Sequence, residues 1–554
     1  MGSRKRLFVL GSIGGLALLL VGGAILASFT LSLGSQSMGA AVGGAQDANA
    51  FRENVRNGYV PQPTDITYEG LYHDYRFEFD RDEPCRQRFC PTYSRAVSPD
   101  PLSNGTDQYL AVGLASGIDE SEFQRPNVTM VVVVDTSGSM DSGFGQYYYD
   151  NGTEADGDRS KMEAARAAVR TLADQLGPGD RLAIVDYDDD AYTALEMTEG
   201  DELTDAELNQ TLRSLSADGG TDLSAGMEQA RELTSEYQNP GEGQATRIVY
   251  VTDAMPNQGE TTTEGLTSNL ETDAQQGVHT TFVGVGVDFN SELTNDIADV
   301  RGANYYTVQS PPAFEDRMSD GFQYMVTPLA YNLSMNVSAP GYEVERAYGT
   351  PSNRDTGALV DVATLFPSRS SENGSEGSVI LLELNRTSPD PGPIYLNATY
   401  ETPDGTVEET SDEVTFTHTG EHYDSTGVRR AVVLTRYATL LRNWAAYERS
   451  LDSDREFEPP EGVEYRTLGQ WEQQSVPLTV SDPYDHRIRA FREYFTAERD
   501  ALGGNMSQDI AILDRLIESA NNSSSSPANE SSSTPPSETP APTASQTPTN
   551  RTAT

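Results

Sequence analysis

Five short apolar runs alternate with amphipathic segments between residues 127 and 328, and this alternation constrains the fold more than any other feature of the chain. Runs that are apolar on both faces are typical of strands buried on both sides of a sheet. The segments between them repeat apolar residues every three or four positions, the spacing of one helix face. The pattern predicts an α/β fold with an open, doubly wound, mostly parallel sheet. The predicted strands are 130–134, 182–185, 248–251, 280–287 and 303–308, and the predicted helices are 160–176, 205–215, 224–234, 264–276, 292–298 and 312–326.

Three oxygen-bearing side chains directly follow the first of these strands. Asp135, Ser137 and Ser139 are spaced by two residues, and Gly138 permits the tight turn that this spacing needs. Ligands of an open parallel sheet bind at the carboxyl ends of its strands, which is where these residues are expected. Oxygen ligands without His or Cys favour Mg2+, Mn2+ or Ca2+. One carboxylate leaves such a cation undercompensated, so a second carboxylate is expected from elsewhere.

Two later segments supply further ligands of the same kind. Thr221 lies in Gly-Gly-Thr-Asp-Leu before a predicted helix, and Asp253 follows the strand at 248–251. In order and approximate spacing, the three segments resemble the metal-ion-dependent adhesion site of von Willebrand factor A (VWA) domains. Ala254 departs from that family, in which glycine is common after the aspartate, without removing a ligand. The alternative interpretation is that all three segments are ordinary caps and turns.

The resemblance implies a function for each of these residues. The cation would be Mg2+, or Mn2+ or Ca2+, and an acidic residue of a protein partner would take one coordination position. The residues implied to hold the cation directly or through water, with the last completing the shell, are Asp135, Ser137, Ser139, Thr221 and Asp253.

A wider region, about 108–450, is similar to membrane-anchored bacterial and archaeal VWA proteins labelled calcium-activated chloride-channel homologues. The shared segments are 110–113, 329–332, 398–405 and the helix at 428–450. The label implies no demonstrated channel. The similarity implies that the strand near residue 110 pairs with strands after 328, so that the VWA domain is inserted in, or followed by, a β-sandwich.

The rest of the chain divides by composition. Strands broken by Pro and Gly turns follow residue 328, then helical patterns, and finally a tail of Ser, Thr, Pro and Asn that lacks large apolar residues and so cannot form a core. The predicted divisions are 1–6 basic N-terminus, 7–33 transmembrane helix, 34–65 linker, 66–126 β-rich segment of the sandwich, 127–328 VWA domain, 329–420 β-sandwich, 421–520 helical region and 521–554 disordered tail.

The N-terminus predicts where the protein resides. Arg4, Lys5 and Arg6 precede an uncharged apolar run at 7–33, which is long enough to span a bilayer. The positive-inside rule then places the N-terminus in the cytoplasm and the bulk of the chain outside, on a single-pass membrane protein. The alternative is a signal peptide that is cleaved to release a secreted protein.

Cysteines and glycosylation sequons agree with a location outside the cytoplasm. Cys85 and Cys90 are alone in the chain and close together, which favours a local disulfide in an oxidising compartment. Asn-x-Ser/Thr sequons permit surface glycosylation. They include Asn104, Asn127, Asn151, Asn209, Asn332, Asn336, Asn373, Asn385, Asn397 and Asn505.

The charge balance excludes one class of partner. Asp plus Glu number 85 against 38 Lys plus Arg, a formal net charge of −47, which repels nucleic acid. Lysine occurs only at positions 5 and 161. This composition is typical of proteins from salt-loving organisms, in which concentrated salt screens the self-repulsion. The alternative is an ordinary acidic secreted protein.

No arrangement of residues typical of catalysis is evident, so we expect a binding protein and not an enzyme. The five histidines are scattered, and there is no Gly-x-Ser-x-Gly, His-Glu-x-x-His or phosphate loop. The sequence therefore indicates cation-dependent binding of a protein, or of a surface glycan, at the cell surface. The alternative is a structural or assembly component of the cell envelope in which the VWA domain is constitutively docked.

Overall fold

The structure is a computed structural model, and it describes residues 37–80, 85–149, 159–308, 310–350, 360–371, 373–453 and 468–525. The strands are β1 Ser37–Val42, β2 Gly44–Ala45, β3 Arg76–Phe77, β4 Cys90–Pro99, β5 Thr106–Asp119, β6 Asn127–Asp135, β7 Arg181–Tyr187, β8 Ala191–Glu199, β9 Gln244–Thr252, β10 Val278–Val285, β11 Asn304–Val308, β12 Ala330–Ser338, β13 Tyr342–Tyr348, β14 Val360–Ser368, β15 Ser370–Ser371, β16 Gly374–Glu376, β17 Val379–Arg386, β18 Ile394–Glu401, β19 Val407–Val414 and β20 His422–Tyr423.

Eleven α-helices lie in the described part of the chain. They are α1 Asn49–Asn57, α2 Tyr68–His73, α3 Lys161–Ala173, α4 Asp205–Ser214, α5 Leu223–Thr234, α6 Thr263–Gln275, α7 Ser291–Ala298, α8 Pro311–Val326, α9 Thr426–Ser453, α10 Asp482–Ala501 and α11 Ser507–Ser525. Short 3-10 turns occupy Pro63–Asp65, Gly138–Asp141 and Ser235–Tyr237.

A seven-stranded sheet carries the candidate site, in the order β2-β11-β10-β9-β6-β7-β8. All its pairs are parallel except the edge pair β7–β8. Helices α3, α4 and α8 cover one face, and α5, α6 and α7 cover the other, each through a separate apolar cluster. Because both faces are covered, strand residues such as Val132 and Val133 are equally buried. The predicted doubly wound α/β fold is confirmed, although β8 was not among the predicted strands.

A second, ten-stranded sheet is antiparallel throughout and packs its own apolar core. Its strand β5 pairs with β17, so that Leu110 lies opposite Leu382, although the α/β layer separates them in sequence. β5 also pairs along its other edge with β4. The pairing expected between the strand near residue 110 and strands after 328 is therefore present, and the α/β layer is inserted in the antiparallel unit.

The prediction of a linker at 34–65 is wrong for the residues that the structure describes. β1 pairs with β5 and β14, β2 extends the seven-stranded sheet beside β11, and α1 buries Phe51 and Val55. The Gly and Ala content that suggested a linker has a packing cause instead. A Cβ at Gly39 would lie 2.3 Å from the Cβ of Ser375, so only glycine fits there. In the adjoining segment at 66–126, residues 68–73 form helix α2 and not a strand.

The helices after residue 425 pack with α1 in a fourth apolar cluster. Trp444 of α9 contacts Phe51 edge-on, with ring centroids 6.4 Å apart, and α11 joins the same core through residues such as Leu513. Arg52 of α1 forms buried ion pairs with Asp74 and Asp509, at 2.5 and 3.0 Å. The C-terminal helices are therefore packed against the N-terminal part of the folded chain.

Several predictions fall partly or wholly outside the described residues. The span at 7–33 and the tail from 526 onward are among them, whereas residues 521–525 continue α11. In the described part of the chain, no helix is long and apolar enough to cross a membrane. Cys85 and Cys90 are joined by a disulfide, with Cα atoms 5.8 Å apart.

Candidate metal centre

Three loops meet at the carboxyl edge of the seven-stranded sheet. They follow β6, precede α5 and follow β9, and backbone hydrogen bonds join the first two. The amide of Gly138 donates to the carbonyl of Gly219 at 3.2 Å, and the amide of Asp218 donates to the carbonyl of Thr136 at 2.8 Å. Gly219 has a φ of 68°, a left-handed conformation that glycine adopts without strain. The predicted ligands are thus carried on loops that hold one another.

Asp135 is the last residue of β6 and is fully buried. Its Oδ1 accepts the amide of Ser137 at 2.9 Å, and its Oδ2 accepts the hydroxyls of Thr252 at 2.6 Å and Tyr187 at 3.1 Å. Burial, and then the charge of Asp253, raise the pKa of Asp135 to about 6. A positive charge at this position would stabilise the ionised carboxylate.

Ser137 and Ser139 present their hydroxyls side by side. Their Oγ atoms are 3.0 Å apart, and both residues are buried. The 3-10 turn at Gly138–Asp141 produces this arrangement, because it begins directly after Ser137. Two hydroxyl oxygens next to a carboxylate are suitable ligands for a hard cation.

Thr221 is held at the same edge by the loop that follows β9. Its amide donates to Oδ1 of Asn257 at 3.0 Å, and its carbonyl accepts the amide of Asn257 at 3.0 Å. Asp189 adds a further contact by accepting the amide of Gly220 at 2.9 Å. The acidic loop at 186–190 therefore supports the threonine loop.

Asp253 provides the observation that tests whether a cation fits. Its side chain is fully buried, and Oδ2 accepts a hydrogen bond from Lys161 at 3.0 Å, whereas Oδ1 has no hydrogen-bond partner. A buried carboxylate oxygen without a partner is costly unless another ligand satisfies it. Ala254, next in the chain, has a φ of 58°, which explains why glycine would be favoured there. The residues present therefore fit a divalent cation.

Lys161 is the functional residue that sequence analysis missed. Its fully buried ammonium lies 3.0 Å from Asp253 and 2.6 Å from Asp288. Burial lowers its pKa, but the attraction of the two carboxylates outweighs burial and raises it. Gly286 makes room for the side chain, because a Cβ there would lie 2.8 Å from the lysine Cε. The one available signal was compositional, since the only other lysine is Lys5.

The formal charges of the side chains buried at this edge would suit a divalent ion. Asp135, Asp253 and Asp288 count as −3 and Lys161 counts as +1, which gives a formal sum of −2. Groups of three or more His, Cys, Asp or Glu side chains that could hold a metal are absent from the described residues. The candidate donors are the two carboxylates and three hydroxyls that the sequence predicts, an all-oxygen set typical of Mg2+, Mn2+ or Ca2+.

The fold and these loops define a class of protein domain, an open α/β domain with a candidate cation site at its carboxyl edge. Residues 130–256 match the family model of the von Willebrand factor type A domain. The chain thus contains a VWA domain.

Two curated relatives align over parts of their length. "Uncharacterized protein YfbK" of Escherichia coli is 24% identical over 292 residues, which span 52% of this chain and 47% of that protein. Mouse "Inter-alpha-trypsin inhibitor heavy chain H2" is 19% identical over 180 residues, which span 32% of this chain and 19% of that protein. The chain thus matches about half or less of the length of these relatives.

Two solved structures also resemble the chain. A von Willebrand factor type A protein from Catenulispora acidiphila aligns with a TM-score of 0.39 and 14% identity, covering 68% of this chain and 83% of its own. The ArnB paralog VWA2 from Sulfolobus acidocaldarius aligns with a TM-score of 0.37 and 14% identity, covering 78% and 97%.

Proposed function

We propose that the protein binds another protein, or a surface glycan, through a divalent cation held by its VWA domain. VWA domains commonly mediate protein interactions, and the proposal adds cation dependence to that general property. The observation that carries it is Oδ1 of Asp253, a buried carboxylate oxygen with no hydrogen-bond partner, at the edge where the predicted ligands meet. When bound, the cation supplies a positive charge for an acidic group of the partner.

The chain's own residues prepare this site in three ways. Thr252 and Tyr187 fix one oxygen of Asp135, Lys161 fixes one oxygen of Asp253, and Asn257 fixes the backbone of Thr221. Because the ligands are positioned before binding, less conformational entropy is lost when the cation arrives. These roles are in positioning and binding, and we infer that the protein is not an enzyme.

We infer that this binding takes place outside the cytoplasm, on a single-pass membrane protein. The apolar run at 7–33 with its preceding basic residues, the disulfide of Cys85 and Cys90, and the sequons support this location. The alternative is a secreted protein after cleavage of the apolar segment. We also infer a salt-adapted protein from the charge of −47. The relation to chloride-channel homologues stays a prediction.

The second candidate function is a structural component of the cell envelope in which the VWA domain is constitutively docked. It is favoured by the contact that residues 471–474 of the same chain already make with the cation-site end of the domain. In that case the cation would only stabilise the loops, and association with other envelope proteins would not depend on it.

The two functions differ in whether association with a partner is reversible and depends on the cation. Membranes that contain the full chain would be solubilised in Mg2+ or in a chelator, and co-purifying proteins would be identified by mass spectrometry. Cation-dependent binding predicts partners that are lost in chelator, regained when Mg2+ is restored, and absent with an Asp135→Ala variant. Partners retained equally under all three conditions would support the structural role instead.

A further inference from the structure

The segment at 468–475, here called the latch segment, packs against the cation-site end of the VWA domain. Trp471 is only 5% exposed and joins the apolar cluster that includes Phe289 and Leu293. Its indole nitrogen donates to the carbonyl of Thr261 at 2.7 Å. A large aromatic side chain buried in another domain's core holds the segment in place.

Two hydrogen bonds connect the latch segment with residues that support the cation ligands. The side-chain nitrogen of Asn257 donates to Oε1 of Glu472 at 3.0 Å, and the side-chain oxygen of Asn257 accepts a hydrogen bond from the amide of Thr221. The side-chain amide of Asn290 donates to the carbonyl of Trp471 at 2.9 Å, and the backbone amide of Asn290 donates to the carbonyl of Asp253 at 2.9 Å. Each asparagine therefore contacts the latch segment on one side and a ligand residue on the other.

A third connection reaches the buried lysine. The side-chain amide of Gln473 donates to the carbonyl of Asp288 at 2.8 Å, and the carboxylate of Asp288 holds Lys161 beside Asp253. Trp471, Glu472 and Gln473 thus contact residues that hold one hydroxyl ligand and one carboxylate ligand in place. Those ligands are Thr221 and Asp253.

Glu472 brings a negative charge to this end of the domain. It is 7% exposed, and its carboxylate accepts hydrogen bonds from Tyr149, Asn257 and the amide of Gly469. A buried carboxylate at the rim of a cation site lowers the free energy of a bound divalent ion, because charges interact strongly where water is excluded.

We propose that docking of the latch segment and binding of the cation stabilise each other. This inference rests on the proposed function. Docking restrains Asn257 and Asn290, so the ligand loops lose less freedom when the cation binds. The coupling is reciprocal, so an occupied site must also hold the latch segment more firmly. Helix α10 begins at Asp482, shortly after the segment, and this short connection would transmit occupancy of the site to the C-terminal helices.

Two measurements on the full chain test the coupling. In hydrogen exchange followed by mass spectrometry, peptides that cover 468–475 should exchange more slowly when Mg2+ is added. In calorimetric titration with Mg2+ or Mn2+, Trp471→Ala should weaken binding by about fivefold or more, the usual lower range for coupled sites. Gln470→Ala is the matched control, since Gln470 is an exposed neighbour in the same segment, and its affinity should equal that of the wild type.

The outcomes distinguish this inference from the proposed function. A wild-type chain that binds neither Mg2+ nor Mn2+ would overturn both. Wild-type binding that is unchanged in Trp471→Ala, with no change in exchange at 468–475, would overturn the coupling and leave the proposed function in place. Circular dichroism checks that each variant folds. If Trp471→Ala does not fold, Glu472→Gln, which keeps the shape of the side chain, should still weaken binding, and unchanged affinity in that variant would contradict the coupling.

Discussion

The ammonium of Lys161 lies 3.0 Å from Oδ2 of Asp253, and both side chains are fully buried. This contact links helix α3 to the loop after β9 and leaves the other oxygen of Asp253 without a partner. It explains how two carboxylates, Asp253 and Asp288, coexist in the interior beside the candidate cation site.

We expect Lys161→Met to destabilise the protein by about 3 to 5 kcal/mol, because it leaves buried carboxylates uncompensated. Urea unfolding followed by circular dichroism would measure the loss. The control is Arg181→Met, which breaks a partly exposed ion pair with Glu199 and should cost about 1 kcal/mol or less. Equal losses in the two variants would contradict the role assigned to Lys161.

The stability of the protein should depend on pH through His279. Its ring lies against Tyr331 and Gly302, and burial, followed by the charges of Arg247 and Arg301, lowers its pKa from 6.5 to about 3. Between these two pKa values, the His279 side chain is protonated in the unfolded chain and neutral in the folded chain. The free energy of unfolding is therefore unaffected by His279 above pH 6.5, and it falls as the pH is lowered from 6.5 toward 3, because protonation stabilises the unfolded chain.

A variant is needed to isolate this effect, because carboxyl groups with raised pKa values, such as Asp65, act in the opposite direction. Between pH 6.5 and 3, the free energy of unfolding of the wild type should fall relative to that of His279→Gln by up to about 1.4 kcal/mol per pH unit. Parallel stability curves for the two proteins would show that His279 does not titrate in this way.

The net charge of −47 predicts a protein that is stabilised by salt. Its melting temperature should fall as KCl is lowered from molar to millimolar concentration, because self-repulsion is then no longer screened. A parallel titration with a nonionic osmolyte separates charge screening from general solute exclusion. A melting temperature that is the same at both salt limits would contradict the salt-adapted interpretation.

Protein taken from its native envelope should contain the Cys85–Cys90 disulfide. The bond closes a loop of only four intervening residues, so it should add about 2 kcal/mol or less to stability. Mass spectrometry after alkylation without reductant should find neither cysteine alkylated. Two alkylated cysteines would remove one support for the location outside the cytoplasm.

The parts of the site that are local in sequence could be predicted, and the parts that depend on distant contacts could not. Asp135, Ser137 and Ser139 directly follow an apolar strand, and Asp253 follows another, so strand ends alone place them at one edge. Lys161 is 92 residues from Asp253, and Asn257 is 215 residues from Glu472. Nothing in a local pattern indicates such pairs.

Prediction of the fold from the sequence was also limited to elements whose partners lie nearby in the chain. The alternation of strands and helices from 127 to 328 predicted the α/β layer because each element is buried by its sequence neighbours. The strand β1 was read as a linker because its Gly and Ala residues carry no periodic signal. Its partners, β5 and β14, are strands far along the chain, and close packing against residues such as Ser375 explains the small side chains.

Cation titration of the wild type and an Asp135→Ala variant tests the central claim most directly. The full chain should bind Mg2+ or Mn2+ in calorimetry, and Asp135→Ala should lose measurable binding while keeping its circular dichroism spectrum, because the carboxylate of Asp135 contacts polar groups of Ser137, Thr252 and Tyr187 at the end of β6. Asp201→Ala is the matched control, since it removes an exposed carboxylate from the turn after β8, at the opposite edge of the sheet, and should leave the affinity unchanged. Equal affinities in the wild type and Asp135→Ala would contradict the cation site on which the proposed function rests.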